Sequence, residues 1–107
     1  MLGFTALADP TRRRIVEMLA TRELPAGEIA RRFDMTAPAV SQHLKLLREA
    51  GLVHVRRDAQ RRIYALDTRG ITELDAWLSR FRRFWNTRLD ALERELTNSD
   101  PDRRSNA

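Results

Sequence analysis

The fold is decided by residues 36–51, which read TAPAVSQHLKLLREAG. Thr36 can cap the start of a helix, and Gly51 stands just past its end, where a left-handed residue closes many helices. Between them Val40, Leu44 and Leu47 recur at helical spacing. The stretch therefore predicts one amphipathic helix with an apolar inner face and a polar outer face.

Further helices are predicted on the N-terminal side of this stretch. The apolar segment 2–7 must end near Asp9, because a residue before proline is pushed out of helical geometry. A helix capped by Asp9 is predicted over about 10–20, followed by a connection at 21–24. A short helix opens at Pro25 and breaks at Asp34. This short helix and the helix capped by Thr36, separated by a tight turn, form a helix pair.

The apolar period changes after Gly51. Residues 52–57 and 61–66 are rich in β-branched and aromatic side chains and flank the short loop 58–60, which indicates a β-hairpin. Apolar residues then recur every three or four positions over 71–96, which predicts one long helix. We predict a mainly α fold with about five helices and two antiparallel strands in one domain over 1–96, and a polar, disordered tail over 97–107.

Composition narrows the class of function. The 107 residues carry 20 basic and 15 acidic side chains, a net charge of +5. The segment 10–66 alone holds 12 basic and 6 acidic residues, so the positive charge is concentrated there and favours a polyanionic partner. Cysteine is absent, which excludes disulfides, thiolate nucleophiles and zinc fingers. No apolar run is long enough to span a bilayer and no signal peptide is recognised, so a cytoplasmic protein is expected.

The helix pair followed by a basic hairpin predicts a winged helix-turn-helix, a device that reads duplex DNA. Gln42 can pair with an adenine edge, and Lys45 with phosphate or guanine. For His43 two interpretations remain open, a phosphate contact or a partly packed ring. The predicted contacts are Thr36, Ala37, Pro38, Ser41, Gln42, His43 and Lys45 from the helix, and Arg56, Arg57, Arg61 and Arg62 from the hairpin, or wing.

Three segments make the chain similar to a known family. ALADPTRRRIVEML (6–19), AVSQHLKLLREAGLV (39–53) and RRIYAL (61–66) resemble the bacterial ArsR/SmtB transcriptional repressors. The resemblance covers about residues 4–96. It implies a homodimeric winged-helix protein that represses transcription and releases DNA on sensing a metal or another signal.

The chain departs from the family at its metal sites. Metal-sensing members carry a cysteine pair after a Glu-Leu, whereas Glu23-Leu24 is followed here by Pro-Ala-Gly. Other members bind zinc with carboxylates and histidines of the last helix, whereas the last helix here has Asp75, Asp90 and Glu93 but no histidine. The string FWNTRLDAL (84–92) is similar to the metal-independent branch. Neither a metal nor a cofactor is therefore expected, and the inducing signal is left open.

The last helix carries more apolar side chains than so small a domain can cover. A homodimer interface is predicted at Leu2, Phe4, Leu7, Leu74, Trp77, Leu78, Phe81, Phe84, Trp85, Leu89 and Leu92. The alternative is a winged-helix module that docks another protein on this aromatic helix. No glycine-rich phosphate loop, catalytic triad or paired-carboxylate pocket can be assembled from the sequence, so an enzyme is not expected.

Overall fold

Five helices and three strands make up residues 2–99, the part of the chain that the computed structural model describes. The helices are α1 (Leu2–Leu7), α2 (Pro10–Leu19), α3 (Ala26–Arg31), α4 (Ala37–Glu49) and α5 (Thr68–Ser99). The strands are β1 (Leu24–Pro25), β2 (Val53–Asp58) and β3 (Arg61–Leu66), which form one antiparallel sheet in the order β1-β3-β2. The predicted mainly helical fold with a hairpin wing is confirmed.

The sheet has one strand more than the sequence predicts. Leu24 pairs with Tyr64 and Pro25 with Ile63, so the supposed connection before α3 forms the edge strand β1. A two-residue strand has no alternating pattern by which it could be recognised. Proline is tolerated there because an edge strand can leave an N–H position unused.

The core lies against the inner face of α4, as predicted. Val40, Leu44 and Leu47 are buried, and Ile15 of α2 and Ile29 of α3 join them in the same cluster. The cluster also contains hairpin residues of β2 and β3. Burial of this apolar face fixes the orientation of α4 and turns its opposite side outward.

The end of α4 is held against the start of α5 by a backbone hydrogen bond and close packing. Gly51 adopts a φ of +76°, and the N–H groups of Gly51 and Leu52 bond back into the last turn of α4, which is a Schellman motif. The N–H of Asp67 donates to the carbonyl of Leu52 at 2.8 Å. Gly70 of α5 lies so close to Gly51 that a Cβ at position 70 would stand 1.9 Å from the Gly51 carbonyl oxygen.

Helix α5 is longer at both ends than the predicted span of 71–96. It begins at Thr68 because Asp67 caps it, accepting a 3.0 Å hydrogen bond from the N–H of Arg69. Residues 97–99 continue the helix, so the predicted tail is wrong at those positions, and residues 100–107 lie outside the described part of the chain. The chain divides into two compact units, 1–74 and 75–107, and the described part of the second consists of α5 alone.

Candidate DNA interface

The N-terminus of α4 is held by a side-chain cap. The hydroxyl oxygen of Thr36 accepts a 3.2 Å hydrogen bond from the N–H of Ala39. This bond uses the oxygen as an acceptor and leaves the hydroxyl proton free to donate. Thr36 therefore both starts the helix and presents a donor at its exposed end.

The outer face of α4 carries the side chains predicted to meet DNA. Thr36, Ala37, Pro38, Ser41, Gln42 and Lys45 are all exposed, on the side opposite the buried core residues. The first three keep the helix end narrow, and the last three offer hydroxyl, amide and ammonium groups. An exposed helix of this composition suits the width and the donor and acceptor pattern of a major groove.

His43 is turned toward α2 rather than outward. Its side chain is 19% exposed, and its Nδ1 lies 3.8 Å from a carboxylate oxygen of Asp9 and 3.4 Å from a guanidinium nitrogen of Arg12. The pKa of Asp9 is lowered, first because its carboxylate accepts the N–H of Arg12 and then through the nearby His43 and Arg12 charges, although burial works in the opposite sense. This placement matches the partly packed ring of the two interpretations left open by the sequence.

The four wing arginines do not have equivalent surroundings. Arg56 forms an ion pair with Glu23, which lies just before β1, and this partner raises the pKa of Arg56. Arg61 pairs with Asp58 across the turn at 3.2 Å. Within residues 2–99, Arg57 and Arg62 have no acidic partner. The sequence pattern treated all four alike, because the Glu23 contact joins residues 33 positions apart and leaves no local signal.

The wing turn closes without a glycine. Ala59 adopts a φ of +60°, the left-handed region that favours glycine, and Arg61 stands directly opposite Asp58. The loop is thus two residues, Ala59 and Gln60, rather than the predicted three. The Asp58 to Arg61 ion pair spans this turn and supports it.

The predicted dimer residues fall into two groups. Leu74 is buried in the chain's own core beside Gly3, so its assignment to an interface is wrong. Phe4 and Leu7 of α1 are half-buried against the same core, whereas Leu2 is exposed. On α5 an exposed apolar stripe, hereafter the α5 stripe, consists of Trp77, Leu78, Phe81, Phe84, Trp85, Leu89, Leu92 and Leu96.

The rings of the α5 stripe are in mutual contact. Trp77 stacks on Phe81 with ring centroids 5.1 Å apart, and Trp85 meets Phe81 edge-on at 5.8 Å. The guanidinium of Arg88 lies 4.4 Å from the centre of the Phe84 ring. The aromatic surface is therefore ordered along the helix while much of each ring remains exposed.

Residues 2–99 contain neither a metal-binding cluster nor a membrane-spanning helix. No three histidine, aspartate or glutamate side chains come close enough together there to hold a metal ion. None of the described helices combines the length and apolarity needed to cross a membrane.

Comparisons with known proteins agree with the fold. A family model described as a helix-turn-helix domain matches residues 7–56. The HTH-type transcriptional regulator Rv2034 of Mycobacterium tuberculosis is 53% identical over 79 residues, 74% of each chain. The transcriptional repressor SdpR of Bacillus subtilis is 35% identical over 78 residues, 73% of this chain and 87% of that protein.

Solved structures give the same result. A crystal structure of an ArsR family transcriptional regulator matches with a TM-score of 0.72 and 30% identity over 79% of this chain and 93% of the other. The homodimeric winged helix-turn-helix DNA-binding domain of Mb0332 from Mycobacterium bovis matches with a TM-score of 0.63 and 28% identity, covering 77% of this chain and 76% of that one.

The exposed face of α4 and the basic wing define the class as winged helix-turn-helix DNA-binding proteins that regulate transcription. Within that class, the chain belongs to the ArsR family.

Proposed function

We propose that this regulator is a homodimeric repressor that binds an inverted-repeat operator without the family's metal-sensing site. The observation that carries the proposal is the exposed polar face of α4 on the same small unit as two wing arginines that have no acidic partner among residues 2–99. A major groove admits α4, and the wing arginines suit the flanking phosphates or the minor groove.

The α5 stripe supports the dimer. Each large apolar side chain gains about 1.5 to 3 kcal/mol when it is fully buried, and exposed patches of this kind mark interaction surfaces. In a two-fold pair the stripe meets its own copy. The relative Mb0332 is described as homodimeric, which agrees with this arrangement.

Two-fold symmetry sets the form of the operator. A dimer presents two α4 helices, which must enter successive major grooves about 34 Å apart on one face of the duplex. The bound sequence is then an inverted repeat. Repression rather than activation is proposed because the relative SdpR is named a transcriptional repressor.

The test is selection of bound duplexes from a random DNA pool with the 107-residue chain, followed by mobility shifts on the selected motif. We expect a motif with two-fold symmetry. Replacing Gln42 by alanine should relax the preference at one base pair of each half-site, at about 1 to 3 kcal/mol. Replacing Glu49, exposed in the last turn of α4, by alanine is the matched control and should leave the motif unchanged.

Three outcomes would contradict the proposal. They are a selection that yields no common motif, a motif that stays the same in the Gln42 variant, and a motif without symmetry. Repression is measured separately with a reporter placed behind the selected motif. Reporter output that rises when the regulator is supplied would show an activator instead.

A further inference from the structure

Two concave surfaces meet between α3, β3 and α4. The first has a volume of about 450 Å³, lies between the start of α3 and the wing tip, and is lined by Arg31, Gln60 and Arg61 among others. The second, of about 210 Å³, reaches Ser41 on the outer face of α4. Ala26, Gly27 and Arg62 line both. The two surfaces therefore form one continuous groove, here called the α3–wing groove, with Arg62 at its middle.

The α3–wing groove is positively charged. Arg31, Arg61 and Arg62 line it, and the acidic residue in its wall is Glu28. The carboxylate of Glu28 already accepts hydrogen bonds from Arg22 at 3.3 Å and from Arg32 at 3.4 Å. Its charge is compensated by these two partners, so Arg31 and Arg62 are left to act on an anion from outside.

The floor of the groove is open at Gly27. This glycine is exposed within α3, and a Cβ built on it would meet no atom within 4 Å. Folding does not require glycine here, because alanine is the better helix former and would fit. The missing side chain instead leaves room for a backbone to approach the protein closely.

The wing places two like charges side by side at Arg62, which lines this groove. Arg57 of β2 stands directly opposite Arg62 of β3, so both side chains project from the same face of the sheet. Like charges in directly opposite positions destabilise a sheet. Arg56 and Arg61, by contrast, each have a carboxylate partner. Between Arg57 and Arg62 a phosphate would replace repulsion by two charge-assisted contacts.

We propose that the α3–wing groove holds the phosphodiester backbone of one DNA strand, gripped by Arg62 and Arg57 and seated over Gly27. The inference rests on the proposed function and divides the wing arginines by role. Arg57 and Arg62 bind phosphate, whereas Arg56 and Arg61 hold the shape of the wing through their ion pairs. The isolated wing carries a repulsion that DNA relieves.

The test compares four single variants of the 107-residue chain, each with one wing arginine replaced by glutamine, on the selected duplex over a range of salt concentrations. Removal of a charge-assisted hydrogen bond should weaken binding about tenfold or more for Arg57→Gln and Arg62→Gln. Each should also make the negative slope of log affinity against log salt shallower, by about one for every phosphate that is no longer neutralised. Arg56→Gln and Arg61→Gln should change affinity much less.

Melting temperatures measured without DNA give an independent readout. Arg57→Gln and Arg62→Gln should raise the melting temperature because they remove the repulsion, whereas Arg56→Gln and Arg61→Gln remove an ion pair and should not. Gly27→Glu should weaken DNA binding by placing a carboxylate in the groove. Gly27→Ala adds only an uncharged methyl group and should weaken binding much less than Gly27→Glu does.

The outcomes separate the two proposals. If the unaltered chain binds no duplex, the proposed function fails and this inference fails with it. If the unaltered chain binds its motif but all four arginine variants weaken alike, only this inference is overturned. It is also overturned if Arg57→Gln and Arg62→Gln melt below the unaltered chain, or if Gly27→Glu binds as tightly as Gly27→Ala.

Discussion

Replacing Gly70 by alanine tests the packing between the end of α4, the helix proposed to read DNA, and the start of α5. The added Cβ would lie 1.9 Å from the carbonyl oxygen and 2.6 Å from the carbonyl carbon of Gly51. Ordinary contacts between such atoms are about 3.5 Å long, so the backbone must separate by about 1.5 Å. The oxygen cannot swing aside like a side chain, because it is a backbone atom of Gly51, whose N–H is held in the Schellman motif that ends α4.

The change in the free energy of unfolding caused by Gly70→Ala is the difference of two opposing effects. Overpacking of this kind costs typically about 1 to 3 kcal/mol. Alanine in place of glycine gains about 0.5 to 1 kcal/mol within a helix, which offsets part of that cost. We expect a net loss of up to about 2.5 kcal/mol in the free energy of unfolding, and a melting temperature lower by about 4 to 8 °C for each kcal/mol lost.

The assay is urea and thermal unfolding followed by circular dichroism, with Gly27→Ala as the control. Gly27 is also a glycine of a helix, but its Cβ would meet no atom within 4 Å, so alanine there should be neutral or stabilising. Operator binding by Gly70→Ala should weaken as well, because α4 and α5 can no longer meet at the same distance. A Gly70→Ala chain as stable as Gly27→Ala would refute the reasoning.

Three further perturbations test other parts of the molecule. Phe81→Glu should raise the dissociation constant of the proposed dimer about 100-fold or more and abolish operator binding, because one apolar side chain is removed from each protomer. Analytical sedimentation measures the dissociation constant. The control variant is Arg83→Glu, which places the same charge on the opposite side of α5. Zinc, cadmium or arsenite at low micromolar concentration should leave the DNA complex intact in a mobility shift, and stoichiometric release would point to His43 and His54. The free energy of unfolding should fall as the pH drops below about 4. The pKa of Asp67 is lowered by its side-chain hydrogen bond and then its backbone hydrogen bond with Arg69. The stabilisation that follows from a lowered pKa is present above the unfolded value of about 3.9 and is lost when the carboxylate is protonated. In Asp67→Asn the free energy of unfolding, measured by urea titration between pH 7 and 3, should fall less steeply at acid pH. An unchanged dependence on pH would contradict the assignment.

The main part of the fold could be predicted from the sequence because its signals are local. The caps at Asp9 and Thr36, the stop at Gly51 and the period of the apolar residues each involve positions within a few residues of one another. The polar face of α4 follows directly from that period. Strand β1 escaped prediction because two residues carry no period of their own, and their partners on β3 are some 40 positions further along the chain.

The sequence by itself determined the class of protein and predicted the polar outer face of α4 and the apolar stripe of α5, because each depends on residues spaced a few positions apart. Only the tertiary structure decided which side chains are already engaged. Arg56 is neutralised by Glu23 while Arg57 is not, and Leu74 lies in the core while Phe81 is exposed. Such distinctions depend on contacts between distant segments, and these exist only once the chain has folded.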